Sequence, residues 1–147
     1  YKTRQATTVY GGGGITPDIY IPYKSKLTKE TQKLLRNPER PIFNFSSTYA
    51  TQNDLGYKNF NNFKKDWQVS QSVYSQFLDY LDSDSIAFNS DSLLKDKTFV
   101  YNRIKSEIAG TAWGKDEATS IRLSLDNQVS EALKYFNEAD AFLGYRN

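Results

Sequence analysis

The chain of 147 residues contains no cysteine, no histidine and no methionine. Without cysteine there are no disulfides and no thiolate chemistry, and without histidine as well there are no Ser-His-Asp triads and few routes to a zinc site. An excess of one charge is also lacking, because 19 basic residues face 17 acidic ones. That balance gives no electrostatic argument for nucleic acid or an anionic membrane, and no apolar run approaches the roughly 20 residues that span a bilayer.

Aromatic residues, in contrast, are plentiful, with eleven Tyr, nine Phe and two Trp. Each aromatic side chain buries a large area, so one domain with a true core is expected although the mean hydropathy is −0.69.

Four consecutive glycines at residues 11–14 are the most distinctive local feature. The β-prone residues 7–10 precede them and residues 19–21 follow, so the pattern predicts a strand, a glycine-rich turn and a second strand. A phosphate-binding loop is disfavoured, because no helix and no nearby lysine follow the glycines. Pro17 fixes extended geometry, and Asp18 is expected to bond nearby backbone amides in the turn.

Beyond residue 24 the apolar spacing becomes that of helices. Thr28 is predicted to cap a short helix that ends before Pro38, and Pro41 is predicted to open a second helix. A third helix follows from an apolar residue at every fourth position, namely Val69, Val73, Phe77 and Leu81. A fourth, closed by Gly114, is marked by Phe99, Val100, Ile104, Ile108 and Ala112.

The longest apolar stripe covers residues 118–143 and predicts one continuous helix ended by Gly144. Its members are spaced three or four residues apart: Ala118, Ile121, Leu125, Val129, Ala132, Phe136, Ala139 and Leu143. The stripe fits either a core seam or a self-association face, and the sequence does not separate the two. The predicted fold is therefore mainly α, with a short β strand-turn-strand segment in residues 1–23 and a helical C-terminal domain in residues 24–147.

One pair of residues matches a catalytic spacing. Ser92 and Lys95 stand three residues apart, on one face of a helix, as a Ser-Lys dyad requires. The accompanying Ser-Asp-Asn and Lys-Thr-Gly motifs of penicillin-recognising enzymes are absent. Residues 89–92 are better explained as the entry to a helix.

Two further clusters have structural and functional interpretations. Asp79, Asp82 and Asp84 suggest calcium, but the EF-hand pattern fails and solvated carboxylates are favoured.

Four aromatics interleave with lysines as on single-stranded nucleic-acid surfaces, yet their spacing favours a helical core face with lysines in water. These aromatics are Tyr57, Phe60, Phe63 and Trp67.

The N-terminal block resembles the last conserved segment of the S41 serine peptidases, the C-terminal processing proteases. The match consists of Tyr1-Lys2-Thr3, residues 9–15 and Pro17-Asp18, whereas the family's Gly-Arg pair is replaced by Ala6-Thr7. The later chain is similar to the C-terminal region of such proteins from Bacteroidetes-type bacteria. The similar positions are Phe43-Asn44-Phe45, Tyr49, residues 60–80, Ala109, Trp113-Gly114, residues 125–129 and Ala132-Leu133.

In that family the nucleophilic serine and the lysine base precede the matching segment. The resemblance therefore implies a non-catalytic C-terminal region of an exported serine endopeptidase, in the periplasm or cell envelope. The chain has no methionine and is too short for a complete peptidase, and both features are consistent with a fragment. We expect this chain alone to be inactive, with no catalytic, cofactor-binding or metal-binding residue.

The expected partners are the N-terminal catalytic part of the same protein and, for the parent, unfolded proteins or peptides as substrates. The sequence leaves open whether the chain forms a homo-oligomer, and binding to nucleic acid is not expected. The alternative is a stand-alone helical interaction or oligomerisation module without enzymatic activity, whose β segment is an N-terminal arm. An arm of that kind is expected to pack against its own helices.

Overall fold

The structure is a computed structural model that describes residues 19–24 and 26–143. It is mainly helical, as the sequence predicts. Residues 19–24 form neither helix nor strand, and the rest of the predicted strand-turn-strand segment lies outside the described residues. Within the described part, no helix is both long and apolar enough to cross a membrane.

The helices follow one another with short connections. Their bounds are α1 Lys29–Arg36, α2 Pro41–Gln52, α3 Phe60–Asp66, α4 Gln71–Ser83, α5 Ser90–Lys95, α6 Lys97–Ala112, α7 Lys115–Arg122, α8 Asn127–Ala132 and α9 Phe136–Leu143. Short 3-10 turns, Leu123–Leu125 and Leu133–Tyr135, precede α8 and α9.

Local capping explains where several of these helices begin. The Thr28 hydroxyl accepts the Thr31 N–H at the start of α1, and the Ser70 hydroxyl accepts the Val73 N–H at the start of α4. Such side chains satisfy backbone donors that have no partner inside the helix. Pro41 occupies the first position of α2, where its missing N–H costs no hydrogen bond. The predicted starts at Thr28 and Pro41 are therefore confirmed.

The core lies around α6, which packs against both α2 and α7. Val100, Ile104 and Ile108 of α6 are fully buried, together with Phe77 and Leu81 of α4. Helices α6 and α7 approach closely because α6 carries Gly110 at the crossing. A Cβ on that glycine would stand 3.1 Å from the Cβ of Ala118.

The predicted continuous helix over residues 118–143 is wrong between Leu123 and Asp126, where a 3-10 turn interrupts it. Two side chains take part in hydrogen bonds that hold this break. Asp126 accepts the N–H groups of Gln128 and Val129, and the Ser124 hydroxyl donates to the Ile121 carbonyl. Asp126 therefore caps the start of a new helix, because its side chain accepts the first N–H groups there. The helical spacing of the apolar residues continues across this point without a gap.

A carboxylate joins the start of α1 to the start of α6. Asp96 accepts the Thr28 N–H at 2.9 Å and the Thr28 hydroxyl at 2.7 Å. Burial raises the pKa of Asp96, but hydrogen bonds from Thr31 and Thr28 lower it by more, so that its pKa lies below the ordinary value. The link spans 68 residues of sequence and does not follow from any local pattern.

Acid is expected to weaken this link. Because the pKa of Asp96 is lower in the folded chain, its stabilisation is present above the unfolded-state pKa, about 3.9 for an aspartate, and is lost as the pH falls through the folded-state value. We expect Asp96→Asn to lower the free energy of unfolding by about 1 to 2 kcal/mol at pH 7 and by less at pH 3. Urea denaturation at both pH values measures the difference.

The matched control is Asp79→Asn, since Asp79 is exposed in the C-terminal half of α4. We expect this variant to change stability by less than about 0.5 kcal/mol at pH 7. Equal losses in the two variants at pH 7, with the same response to acid, would contradict the role given to Asp96.

Candidate functional site

The chain enters the helical domain through a connector, residues 21–24, that is bound to the start of α8. The Gln128 side-chain amide donates to the Ile21 carbonyl at 2.8 Å, and the Asn127 side-chain amide donates to the Pro22 carbonyl at 2.9 Å. In return, the Lys24 N–H donates to Asn127 Oδ1 at 3.0 Å. These three bonds join backbone and side chains more than 100 residues apart in sequence.

Asn127 and Gln128 occupy the first two positions of α8, directly after the break. Asp126 already caps the first turn of α8, so the neighbouring amide side chains are not needed as caps. A primary amide offers both donors and an acceptor, which lets Asn127 pair with a carbonyl and an N–H of the same extended segment. The geometry is therefore that of an anchor for the incoming chain.

The Ser92 and Lys95 pair is not assembled as a dyad. The Asn89 side chain accepts the Ser92 N–H at 2.8 Å and caps α5, which confirms the helix-entry interpretation. Among the described residues Ser92 has no hydrogen bond to Lys95, whose side chain is exposed. A dyad requires a direct hydrogen bond and a desolvated lysine, and neither condition is met here.

The glycine run and Asp18 lie outside the described residues, so their predicted turn stays a prediction. Asp79, Asp82 and Asp84 are exposed around the end of α4. Within residues 19–24 and 26–143, no cluster of acidic side chains is arranged to hold a metal ion. The solvated-carboxylate interpretation fits this arrangement.

The aromatics around α3 face the core, as their spacing predicts. Phe63 is fully buried, with its ring centroid 5.0 Å from that of Trp67 and 4.8 Å from that of Trp113. Tyr57 and Phe60 pack against the same core, whereas Lys58, Lys64 and Lys65 are exposed. These rings are thus packed against the protein and are not displayed to stack on bases.

The apolar stripe divides into a core part and an exposed part. Ala118 and Ile121 of α7 are buried. Farther along the stripe, Leu125 is 44% exposed and Phe136 is 61% exposed, and Leu133 beside the stripe is 58% exposed. The stripe is therefore a core seam in α7 only, and its second half leaves apolar side chains in water.

Sequence reasoning did not identify Asn127 and Gln128 as anchoring residues, because it placed them in the interior of one long helix. The signal that was available is Asp126, a favoured capping residue, directly before them. Asp96 was missed for a different reason, since its partner Thr28 is distant in sequence.

The fold and the anchor define a small helical domain with a tethered N-terminal connector. Residues 32–114 match the DUF8443 family, described as a family of unknown function, and the match covers more than half of the chain. The chain therefore belongs to this family. No curated protein and no solved structure matches the chain. The family match spans most of the buried core and ends before α7 and α8.

Proposed function

We propose that this chain is the non-catalytic C-terminal region of an exported S41 serine endopeptidase. In this proposal the serine nucleophile and the lysine base precede Tyr1, and residues 1–23 contribute the last β segment of the peptidase core. The resemblance of residues 1–21 to the last conserved S41 segment is the observation that carries the proposal. The helical domain then serves as a part attached to the peptidase, in the periplasm or cell envelope.

The anchored connector is compatible with an attachment role, and it equally fits the arm of a stand-alone module, which is expected to pack against its own helices. Three hydrogen bonds tie residues 21–24 to Asn127 and Gln128, so the chain enters the helical domain at a fixed point. Each such bond contributes about 0.5 to 1.5 kcal/mol, and all three are exposed to solvent. A domain joined by a bound connector transmits its orientation to the segment that precedes it, unlike one on a flexible linker.

The chemistry of the described residues is consistent with a non-catalytic role. Ser92 and Lys95 do not form a dyad, and a chain without histidine or cysteine has few other ways to activate a nucleophile. In the proposal, substrate cleavage depends wholly on the preceding catalytic part. The chain contributes support, gating or assembly.

The test compares two proteins, the chain of residues 1–147 and the encoded protein extended before Tyr1. Each is incubated with an unfolded, fluorescently labelled protein, and cleavage is followed across column fractions. We expect cleavage only by the extended protein, and loss of cleavage when its predicted nucleophilic serine is changed to alanine. Cleavage by residues 1–147 that follows the protein peak and disappears in Lys95→Ala would overturn the proposal.

The anchor is tested in the same extended protein with the double variant Asn127→Ala and Gln128→Ala. Hydrogen exchange at the Lys24 amide is expected to accelerate about tenfold, because the acceptor of its hydrogen bond is removed. The control is Ser130→Ala, on an exposed position of the same helix. Peptidase activity should fall in the double variant and not in the control. Equal activity in the two variants would contradict the attachment role.

The second candidate function is a stand-alone interaction or oligomerisation module without enzymatic activity. The exposed Leu133 and Phe136 favour it, since apolar side chains in water are typical of association surfaces. Sedimentation of the 147-residue chain separates the two functions when it is combined with the activity test. A dimer that dissociates in Phe136→Ser, together with an extended protein that does not cleave, would support the module.

A further inference from the structure

A cavity of about 440 Å³ lies between the C-terminal end of α3, one face of α6 and the break after α7. Its volume falls in the roughly 300–1,000 Å³ that is usual for small-molecule sites. The proposed attachment role makes no use of this cavity, so a ligand bound here is independent of that role.

Three lysines line the cavity, and each of them is bonded to a neutral partner. Lys105 Nζ donates to the Lys64 carbonyl at 2.8 Å, Lys64 Nζ to the Ser120 hydroxyl at 2.8 Å, and Lys97 Nζ to the Gln71 side-chain oxygen at 3.4 Å. Among the described residues no carboxylate lies within 4.0 Å of these three ammonium groups, and no acidic side chain lines the cavity. The short-range partners of these ammonium groups are therefore neutral, and they include the ring of Tyr101, 5.0 Å from Lys97 Nζ, and the ring of Phe63, 5.7 Å from Lys105 Nζ.

Lys105 is the most unusual of the three, because its side chain is only 8% exposed. Burial lowers the pKa of its ammonium group, and the nearby charge of Asp66 offsets part of that effect. An ammonium group has three donors, and the Lys64 carbonyl occupies one of them. An anion that enters the cavity supplies both charge and hydrogen-bond acceptors to this ammonium group, which stabilises its charged form.

Part of the remaining wall is apolar, and the rest is formed by Gln68, Thr98, Tyr101, Asn102 and Ser124. Val69 and Ile121 are buried side chains that border the cavity, and Leu125 lies at its rim, 44% exposed. These three apolar side chains exclude water from their part of the cavity. A short hydrocarbon chain that lies against them loses its contact with solvent.

We propose that this cavity binds a small amphipathic organic anion, with one acidic head group on a short apolar chain. The ammonium groups of Lys64, Lys97 and Lys105 meet the head group, and Val69, Ile121 and Leu125 meet the chain. Lysines act as point charges and accept a carboxylate or a phosphate monoester, so both head groups belong to the class.

The test is an NMR titration of the isotopically labelled 147-residue chain with octanoate, octyl phosphate, octanamide and inorganic phosphate. We expect saturable shifts at the amides of residues 97–105 and 121–125 with octanoate or octyl phosphate, and the tighter of the two identifies the head group. Octanamide should bind at least about tenfold more weakly, because it loses the charge-assisted hydrogen bonds. Equal binding of octanamide, equal binding of inorganic phosphate, or no saturable shift with either anion would overturn the proposal.

Lysine variants distinguish binding in this cavity from attraction of the anion by the overall positive charge. Lys97→Gln is expected to weaken the binding of the better anion about threefold or more, and Lys97→Arg to retain it. The control is Lys95→Gln, which removes the same charge from an exposed position outside the cavity. Equal weakening by the Lys95 and Lys97 variants would mean that only the overall charge attracts the anion, and the site would be rejected.

Discussion

Phe77→Ala is expected to lower the free energy of unfolding by about 3 to 5 kcal/mol. The Phe77 side chain is fully buried in α4, and its ring centroid lies 5.2 Å from that of Phe45 in α2. Truncation removes apolar contact and leaves a cavity between two helices that cannot close completely. Since domains of this size are stable by about 5 to 15 kcal/mol, the loss is a large part of the total. Urea denaturation followed by circular dichroism measures it.

Phe136→Ala is the matched control, because it deletes the same atoms from a side chain that is 61% exposed. We expect its free energy of unfolding to stay within about 0.5 kcal/mol of the unmodified chain. A loss at Phe136 as large as that at Phe77 would show that α9 is packed against something in solution. It would contradict the exposed position described for this helix.

Gly114→Ala is expected to lower the free energy of unfolding by about 1 to 3 kcal/mol. Gly114 joins α6 to α7 with φ of +134° and ψ of 177°, a conformation that is essentially restricted to glycine. An added Cβ would also stand 3.1 Å from Glu117 Oε2. The carboxylate can move, so the cost comes mainly from the backbone. Thermal and urea denaturation both report it.

Gly56→Ala provides the comparison for Gly114. Gly56 has φ of +72°, and no atom lies within 4 Å of an added Cβ. We therefore expect a loss of about 1 kcal/mol, the ordinary cost of a left-handed conformation for a residue with a side chain. If Gly56→Ala proves as costly as Gly114→Ala, the special conformation at the junction of α6 and α7 is not what determines the loss.

Most of the helices could be predicted because their signals are local. The entry at Thr28, the proline at the start of α2 and the regular apolar spacing up to Leu81 involve residues within a few turns of each other. A capping bond or an apolar face depends on neighbours in sequence, so pattern analysis detects it. The core residues of α4 and α6 follow from the same spacing.

The last predicted helix shows where periodicity misleads. Apolar residues continue at helical spacing through residues 123–126, yet Asp126 caps a new helix and the Ser124 hydroxyl bonds to the Ile121 carbonyl. A stripe of apolar residues also does not report whether a partner surface exists. Ile121 is buried while Phe136 is exposed, although both occupy the same stripe.

The anchor and the cavity could not be predicted, because each depends on residues that are distant in sequence. Asn127 meets Pro22 across 105 positions, and Lys105 meets Lys64 across 41. Neither pair has a spacing that a motif would record. Both contacts exist only in the folded domain, in which α6 packs against α2 and α7.

The sequence by itself determined that the chain beyond residue 28 is mainly helical, where α1 and α2 begin, and that no histidine or cysteine chemistry is present. Only the tertiary structure decided that residues 21–24 are held by α8 and that three lysines share one cavity. The physical reason is that helix formation depends on interactions within a few residues. Sites depend on packing, which brings distant side chains together.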